Sequence, residues 1–188
     1  MIGKKPTELL EEEHRVIEKV LGAIAILIEK LKAGQFVDKE VLQNIPEFMS
    51  VFADKCHHGK EEFRLFPLLE KQGVPMQGCP LAILIAEHKK ARALVAKLSE
   101  TAKAFTGDNS SRKDELIQSL QGILDLYPNH IWKEDYLLFP MTDKILNSKQ
   151  QDELAEEFED VERKLGADVH SRFEKLVEEI GRKVRQIK

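Results

Sequence analysis

The chain has 188 residues, of which 42% are hydrophobic and 33% are charged, and its formal net charge is -4. This length is typical of one domain with a full hydrophobic core, and the composition is too apolar for a disordered chain. Non-specific nucleic-acid binding depends on a basic surface, so we expect no nucleic-acid partner. No apolar run reaches the roughly 20 residues that span a bilayer, so we expect no membrane partner either.

The amino-terminal sequence and the cysteines favour a cytoplasmic location. Lys4 and Lys5 are not followed by the apolar segment of a secretory signal. Cys56 and Cys79 form neither a CxxC motif nor the framework of a disulfide-rich domain. We therefore predict a reducing, cytoplasmic compartment, although the pattern is compatible with others.

The first two predicted helices are separated by a glycine-containing turn. The first covers about residues 8–32, with glutamates near its positive end and lysines near its negative end, and Gly34 ends it. The second begins after Asp38, a favourable N-cap, and continues to about residue 71. Two prolines inside it should bend the helix without ending it, because the apolar periodicity continues past both.

Three further helices are predicted after that pair. The third has Pro80 in its first turn. After a polar loop at residues 107–111, the fourth begins with Ser111 as its cap and ends near Leu146. A second capping pattern at Ser148 opens the fifth helix, which continues to the end of the sequence.

The order of these helices predicts an all-α fold. Short connections make sequential helices antiparallel, so the first four should form an up-down-up-down four-helix bundle. We assign residues 1–147 to this bundle, and residues 148–188 to one long additional helix in the same domain, weakly interrupted at Gly166 and Gly181. This extra helix is expected to pack along the outside of the bundle or to bind a partner.

Two segments of the sequence repeat one pattern without gaps. Residues 57–67, HHGKEEFRLFP, align with residues 130–140, HIWKEDYLLFP, and each is His-x-x-x-Glu followed by Leu-Phe-Pro. Residues four apart share one face of a helix, so each imidazole and carboxylate can bind one metal ion or bridge to a second. The repeats lie on the second and fourth helices, which are diagonal in such a bundle and would face each other.

Two more histidines lie at a matching depth on the other two helices. With about 1.5 Å rise per residue, His14 and His88 lie roughly 10 Å from the starts of the first and third helices. His57 and His130 lie roughly 20 Å from the ends of the second and fourth helices, with the glutamate of each repeat one turn closer. Because those starts and ends meet at one end of an antiparallel bundle, the side chains should form one layer.

The mixture of imidazoles and carboxylates selects a class of metal. The candidate ligands are His14, His57, His58, Glu61, His88, His130 and Glu134. Seven ligands are too many for one tetrahedral zinc ion, and calcium and magnesium prefer oxygen. The set suits two redox-capable first-row ions bridged by glutamates, and iron, manganese or a mixed pair all meet this description. A ferritin-like site needs two Glu-x-x-His motifs, and only Glu11 to His14 supplies one.

These motifs resemble those of the hemerythrin-like (HHE cation-binding) family over about residues 8–146. The resemblance rests on His14 in an acidic stretch, on the two repeats, and on Glu87-His88 followed by Arg92. It implies two iron ions with an oxo or hydroxo bridge. In that family the glutamates of the repeats bridge the ions and the histidines are terminal ligands.

The source of the fifth imidazole differs from the oxygen-carrying members of that family, which have two histidines one turn apart on the third helix. Here Leu84 and Arg92 flank His88 at that spacing. We therefore expect His58 to supply the fifth imidazole, with His170 as the alternative. An iron-sensing F-box relative of the family places a ligand at the point of His58. Seven ligands on two irons leave one open position, where O₂ or NO could bind.

Several neighbouring side chains have other expected roles. Glu62 and Glu87 are expected to support the ligands or to face solvent, and Arg92 to pair with one of them. The acidic run at residues 11–13 reads mostly as a solvated face. Cys56 is expected to be a buried, inert thiol rather than a redox-active one.

The resemblance implies a protein that binds O₂ or NO reversibly at two irons, for storage, sensing or delivery. The alternative is an enzyme that reduces peroxide or NO, or that donates iron for iron–sulfur repair, with a redox partner. A regulatory module that reports iron or oxygen is less favoured, because no signalling or DNA-binding segment is recognised in the sequence. The oligomeric state is not predicted.

Overall fold

The computed structural model describes residues 4–106, 110–166 and 168–187. Within these ranges the chain forms helices and no strand, which confirms the expected all-α class. The six helices are α1 (Pro6–Lys32), α2 (39–71), α3 (Leu81–Ala104), α4 (110–145), α5 (Ser148–Leu165) and α6 (Val169–Gln186). No helix in the described part of the chain is both long and apolar enough to cross a bilayer.

A histidine interrupts the buried stripe of α1. Apolar residues recur along this stripe every three or four positions and include Leu10, Ile17 and Ile24, which are at most 1% exposed. His14 occupies the position between Leu10 and Ile17 and is 0% exposed. An imidazole at a core position must find polar partners inside the protein, because burial without them is unfavourable.

Three π-helical segments widen α2 and α4. In α2 they are Met49–His58 and Glu61–Leu65, and in α4 the segment is Glu134–Leu138. A π-helical hydrogen bond reaches five residues rather than four, so each turn holds one residue more than an α turn. The segments Glu61–Leu65 and Glu134–Leu138 occupy the same positions in the two sequence repeats. The two prolines inside α2 do not end this helix, as predicted. Pro128 and Pro140 likewise do not end α4.

The helices pack around two apolar clusters. α3 lies against α2 and α4, α1 lies against α4 and α6, and α6 also contacts α2. The larger cluster contains Phe48, Phe52 and Phe173, and the smaller one contains Phe66, Phe139 and Phe158. The histidines and glutamates of the predicted layer lie between these two clusters in the sequence of α1 to α4.

The predicted single helix after residue 147 is wrong at Gly166. This glycine has φ 123° and ends α5, and α6 begins at Val169. Gly181, the other expected interruption, lies inside α6 without breaking it. The cap of α5 is Asn147 rather than Ser148, and its side chain accepts a 3.0 Å hydrogen bond from the Gln150 amide.

The starts of α1, α2 and α4 lie within two residues of their predicted positions. α1 begins at Pro6, two residues before the predicted start. α4 begins at Ser110, and most of the predicted loop at 107–111 lies outside the described residues. Asp38 caps α2 as predicted and accepts a 2.9 Å hydrogen bond from the Glu40 amide.

Replacing Gly166 by alanine should destabilise the protein, because a side chain is strained at φ 123°. We expect the free energy of unfolding in urea to fall by about 1–3 kcal/mol. The matched control is Gly22→Ala, in the exposed face of α1 with open space around it, which should stabilise by about 0.5–1 kcal/mol. Equal effects at both positions would contradict the assigned backbone conformation of Gly166.

Candidate metal centre

The structure brings all seven predicted ligand side chains together, and each is at most 3% exposed. They form two groups in which the candidate ligand atoms lie within 4.8 Å of one another. One group is His14, His57, Glu61 and Glu134, and the other is His58, His88 and His130. The grouping is an observation about geometry, and ligation by each side chain stays a prediction.

Each of the five imidazoles has a carboxylate at its Nδ1 atom. The pairs are His14 with Asp135 (2.5 Å), His57 with Glu13 (3.0 Å), His58 with Asp54 (3.3 Å), His88 with Glu62 (2.7 Å) and His130 with Glu87 (3.0 Å). Such a carboxylate makes Nδ1 the hydrogen-bond donor and leaves the lone pair on Nε2 free. Histidines that bind metal ions are typically held in this way.

Glu134 reaches both groups with its two carboxylate oxygens. Its Oε2 lies 3.1 Å from His14 Nε2, in the first group. Its Oε1 lies 3.3 Å from His130 Nε2 and 3.5 Å from His88 Nε2, in the second group. A carboxylate with one oxygen toward each group is placed as a bridge between two ions would be.

Glu61 has the same placement from α2. Its Oε1 lies 3.7 Å from His57 Nε2 and its Oε2 lies 3.4 Å from His88 Nε2. In the first group, the Nε2 atoms of His14 and His57 are 2.9 Å apart. Two imidazole nitrogens this close would be able to hold one cation together.

Unpaired polar atoms test whether these residues fit a metal. Both oxygens of Glu61 and of Glu134 are buried, as are Nε2 of His88 and of His130, and none has a hydrogen-bond partner among the described residues. Buried carboxylates without a partner are strongly destabilising, because the charge has lost its solvation. A bound cation would supply the missing partner of these atoms, so the residues fit a metal site.

The ionisation of the centre without a bound ion follows from burial and like charges. Burial, and then the charge of Glu134, raise the pKa of Glu61 well above its ordinary value. Burial also acts against the charged form of Glu134, but His130 and His14 outweigh it and hold the pKa of Glu134 well below its ordinary value. Metal binding must therefore displace a proton from Glu61, which makes it pH-dependent.

The imidazoles of the two groups differ in protonation. Burial, and then the charge of His14, lower the pKa of His57 to about 4. Burial and the neighbouring His88 lower the pKa of His58 well below its ordinary value. Both are therefore neutral, which is the form that binds metal ions. Burial opposes protonation of His14, but Asp135 and Glu134 raise its pKa to about 10, so metal binding must remove this proton.

Aromatic rings close the centre off from solvent. Phe66 stacks on His88 with ring centroids 5.9 Å apart, and Phe139 stacks on His14 at 5.5 Å. These two phenylalanines come from the Leu-Phe-Pro sequences of the two repeats. Tyr127 stacks on the far side, 6.2 Å from His58.

The supporting contacts repeat in the two halves of the centre. Glu13 and Glu87 each precede a histidine, and each accepts a hydrogen bond from the first histidine of a repeat, His57 or His130. Glu62 and Asp135 each follow the glutamate of a repeat, and each pairs with the histidine of α3 or α1. Lys60 and Lys133, three residues after the first histidine, bind Glu13 and Glu87.

Glu13, Asp54 and Asp135 are the supporting residues that the sequence interpretation missed. The prediction that residues 11–13 are mostly solvated is wrong for Glu13, which is 1% exposed. The alignment of the repeats could have revealed Asp135, because it aligns with Glu62. Arg92 pairs with Glu62, as expected, and also with Asp54, each at 2.8 Å.

His58, rather than His170, joins the imidazoles of the centre. His170 lies on α6, where its Nε2 is 3.0 Å from Glu13 Oε1 and 3.1 Å from Glu162 Oε1. Cys56 is 0% exposed, with its sulfur 3.8 Å from Glu13, and burial raises the pKa of its thiol, as expected for an inert cysteine. The structure thus places His58 with the other four imidazoles and His170 beside Glu13 and Cys56, and ligation by either histidine stays a prediction.

Lys60 and Lys133 offer a matched test of burial at equivalent positions of the repeats. Lys60 is 1% exposed, and its ammonium lies 2.5 Å from Glu13 and 2.6 Å from Glu162, whereas the side chain of Lys133 is 23% exposed. Lys60→Met should lower the free energy of unfolding by about 3–5 kcal/mol, because it leaves buried carboxylates with less countercharge.

Lys133→Met is the control for this comparison, and it should cost about 1 kcal/mol or less, as for a solvent-accessible ion pair. Both variants are compared by urea denaturation of the metal-free protein. A similar loss of stability in the two variants would show that α5 and α6 do not bury the Lys60 side of the centre.

The stability that His170 contributes should fall as pH rises. Hydrogen bonding to the Cys56 thiol, and then to Glu13 and Glu162, raises the pKa of His170 to about 11. A raised pKa stabilises the folded state fully below the unfolded value of about 6.5, and this contribution disappears as pH approaches the folded value.

The destabilisation by His170→Gln should therefore be largest near pH 6 and should shrink steadily toward pH 10. Chemical denaturation at several pH values measures it. Ser171→Ala, a neighbouring change without a titrating group, should give a difference that does not vary with pH. A His170→Gln difference that grew with pH would contradict the assigned contacts.

An all-helical fold with this buried set of imidazoles and carboxylates defines a helical metal-binding protein. The profile of the hemerythrin HHE cation binding domain matches residues 5–142, and it also matches residues 79–187. The chain therefore belongs to the hemerythrin HHE cation-binding family. Membership and the clustered ligands together make it a metal-binding protein for which iron is the expected ion.

The chain is also similar to uncharacterized proteins of Mycobacterium bovis and of two strains of Mycobacterium tuberculosis. Each is 24% identical over 157 residues, which cover 84% of this chain and 61% of the relative. The chain thus spans less than two thirds of the length of the curated relatives it matches. No solved structure gives a significant match.

Proposed function

We propose that the protein holds two iron ions in this centre and binds O₂ or NO reversibly, for storage, sensing or delivery. One observation carries the proposal. Glu61 and Glu134 each direct one oxygen toward the group of His14 and His57 and the other toward the group of His88 and His130. Two ions bridged by two carboxylates account for all of these contacts, whereas a single ion would leave the side chains of one group without a metal to bind.

The two groups would hold their ions unequally. His14 and His57 would bind one ion, and His58, His88 and His130 would bind the other. When bound, the iron pair supplies the electrons and the coordination position for a diatomic ligand. The group with two imidazoles has the fewer protein donors, so we place the position for O₂ or NO there.

The surrounding residues favour binding over turnover. The ligand side chains are at most 3% exposed, and Phe66 and Phe139 cover His88 and His14. The carboxylates at the Nδ1 atoms accept hydrogen bonds from imidazoles, which holds the rings in place. A closed pocket of this kind limits the entry of water and protons that would convert bound O₂ into released products.

The proposal includes the arrangement of the chain. We propose that α1 to α4 form an antiparallel up-down-up-down bundle, with residues 148–188 added to the same domain. α6 contacts α1 and α2, which supports the second part. A cytoplasmic location is also proposed, supported by the free thiols of Cys56 and Cys79.

Iron reconstitution under anaerobic conditions tests the site. We expect about two irons per chain, measured by elemental analysis after removal of loosely bound metal. The double variant His57→Ala/His130→Ala removes one imidazole from each group and should lose most of this iron. His170→Ala, which removes a histidine outside both groups, should keep it. Full iron retention in the double variant would sink the assignment, provided that circular dichroism shows a native fold.

Exposure of the reduced, iron-loaded protein to O₂ and to NO tests the function. Reversible binding predicts a change in visible absorption that disappears on degassing and returns over repeated cycles. Rapid, irreversible oxidation with continued consumption of NO or peroxide would instead favour the enzymatic alternative. The same measurement on His170→Ala controls for effects of the additional helices.

A further inference from the structure

A cavity of about 590 Å³ lies between α2 and α3, with Tyr127 of α4 in its wall. Its lining is mostly apolar and includes Pro46, Val51, Ala91 and Val95. Cavities of roughly 300–1,000 Å³ with an apolar lining and a few polar groups are typical of small-molecule sites. The volume is far larger than O₂ or NO requires, so access of a diatomic gas does not account for it.

One polar atom of this wall has no partner. Tyr127 is 1% exposed, and its phenolic oxygen is buried without a hydrogen bond to any described residue. Leaving a buried hydroxyl unpaired is unfavourable, and native proteins rarely do so without a reason. A ligand with an oxygen that accepts from the Tyr127 hydroxyl would supply the missing bond.

The charges beside Tyr127 disfavour an ionic head group at that end of the lining. Arg92 is the cation beside Tyr127, and its guanidinium is already bound to Asp54 and Glu62 at 2.8 Å each. An ion beside Tyr127 would therefore lose its solvation without gaining a free countercharge. Glu47 and Lys103 are exposed and of opposite sign, so the formal charges of the whole lining cancel and favour neither an anion nor a cation.

The shape of the cavity indicates an elongated molecule. Its α2 wall extends from Leu42 to Asp54, which corresponds to roughly 18 Å at the α-helical rise. The inner end of the cavity, formed by Asp54, Arg92 and Tyr127, adjoins the metal centre. Asp54 is hydrogen-bonded to His58. Arg92 is hydrogen-bonded to Glu62, which is also hydrogen-bonded to His88. An occupant of the inner end would thus contact the groups that orient two ligands of the second group.

We propose that this cavity binds a neutral, elongated and largely apolar molecule that ends in a hydrogen-bond-accepting oxygen, such as a carbonyl, and that Tyr127 donates to this oxygen. The site lies outside the metal ligands, although Asp54 and Tyr127 in its wall contact His58, and its evidence does not depend on the proposed binding of O₂ or NO. It gives the protein a second ligand class, recognised by shape and by one hydrogen bond.

Three probes of equal chain length separate the possible head groups. They are 2-octanone, octanoate and octylammonium, each titrated by calorimetry into the iron-loaded full chain and followed by ligand-detected NMR. We expect 2-octanone to bind and the two ions to bind at least about tenfold more weakly, because each must lose its solvation. Octanoate or octylammonium binding as tightly as the ketone would overturn the proposal, as would absence of ketone binding.

Two variants and one control variant test whether 2-octanone binds in this cavity. Tyr127→Phe keeps the ring and removes the hydroxyl, and it should weaken 2-octanone binding about fivefold, the effect of one hydrogen bond. Tyr136→Phe removes the same group from an exposed tyrosine, 66% accessible, and should change nothing. Ala96→Trp fills the cavity from an exposed position of its wall and should abolish binding.

Unchanged ketone affinity in Tyr127→Phe, or binding that survives Ala96→Trp, would overturn the proposal. If Tyr127→Phe failed to fold, the Ala96→Trp result and the relative affinities of the three probes would still support or overturn the proposed site. Repeating the titration on the metal-free protein separates the two proposals. Ketone binding by a chain that takes up no iron would contradict the di-iron function alone.

Discussion

Two carboxylates buried face to face are the constraint on which the rest of this structure depends. Glu61 and Glu134 approach from α2 and α4 between two apolar clusters, where ionised groups have lost their water. Burial and mutual repulsion act against ionising both of them, and for this reason the pKa of Glu61 lies well above its ordinary value. The five inward-facing imidazoles, each held by an outer carboxylate, arrange nitrogen donors around them, so that a bound cation would stabilise the whole set rather than any single side chain.

The two halves of this centre share the same supporting contacts but differ in one histidine and in how deeply they are buried. A Glu-His pair on α1 or α3 meets a His-x-x-Lys-Glu sequence on α2 or α4, and the same contacts follow in each half. The likeness ends at His58, which aligns with Ile131 in the other repeat. The two halves also differ at the surface. Glu162 of α5 covers Lys60, and His170 of α6 covers Glu13. These two departures would make the two proposed metal positions unequal, and they bury one side of the centre more deeply.

Sequence periodicity was enough to predict the helices and the candidate ligands, because both depend on local spacing. His57 and Glu61 share a face whatever the neighbouring helices do. The burial of Glu13 could not be read in the same way, since an acidic run looks solvated until α5 and α6 are placed over it. The break at Gly166 was underestimated, because a glycine within an otherwise periodic segment does not reveal its φ angle. The π-helical segments left no periodic signal at all.

Those widened turns have a consequence for how the sequence can change length. Each turn accommodates one residue more than an α turn. Within 49–58, 61–65 and 134–138, deletion of a single residue would allow the helix to return to α geometry without a break in its hydrogen bonds. A turn that loses its extra residue still completes one full turn, so the residues beyond the deletion keep their angle around the helix axis. Phe66 and Phe139 would then still face their imidazoles. The number of residues in these segments is therefore less strictly constrained than the identity of the histidines and glutamates that flank them.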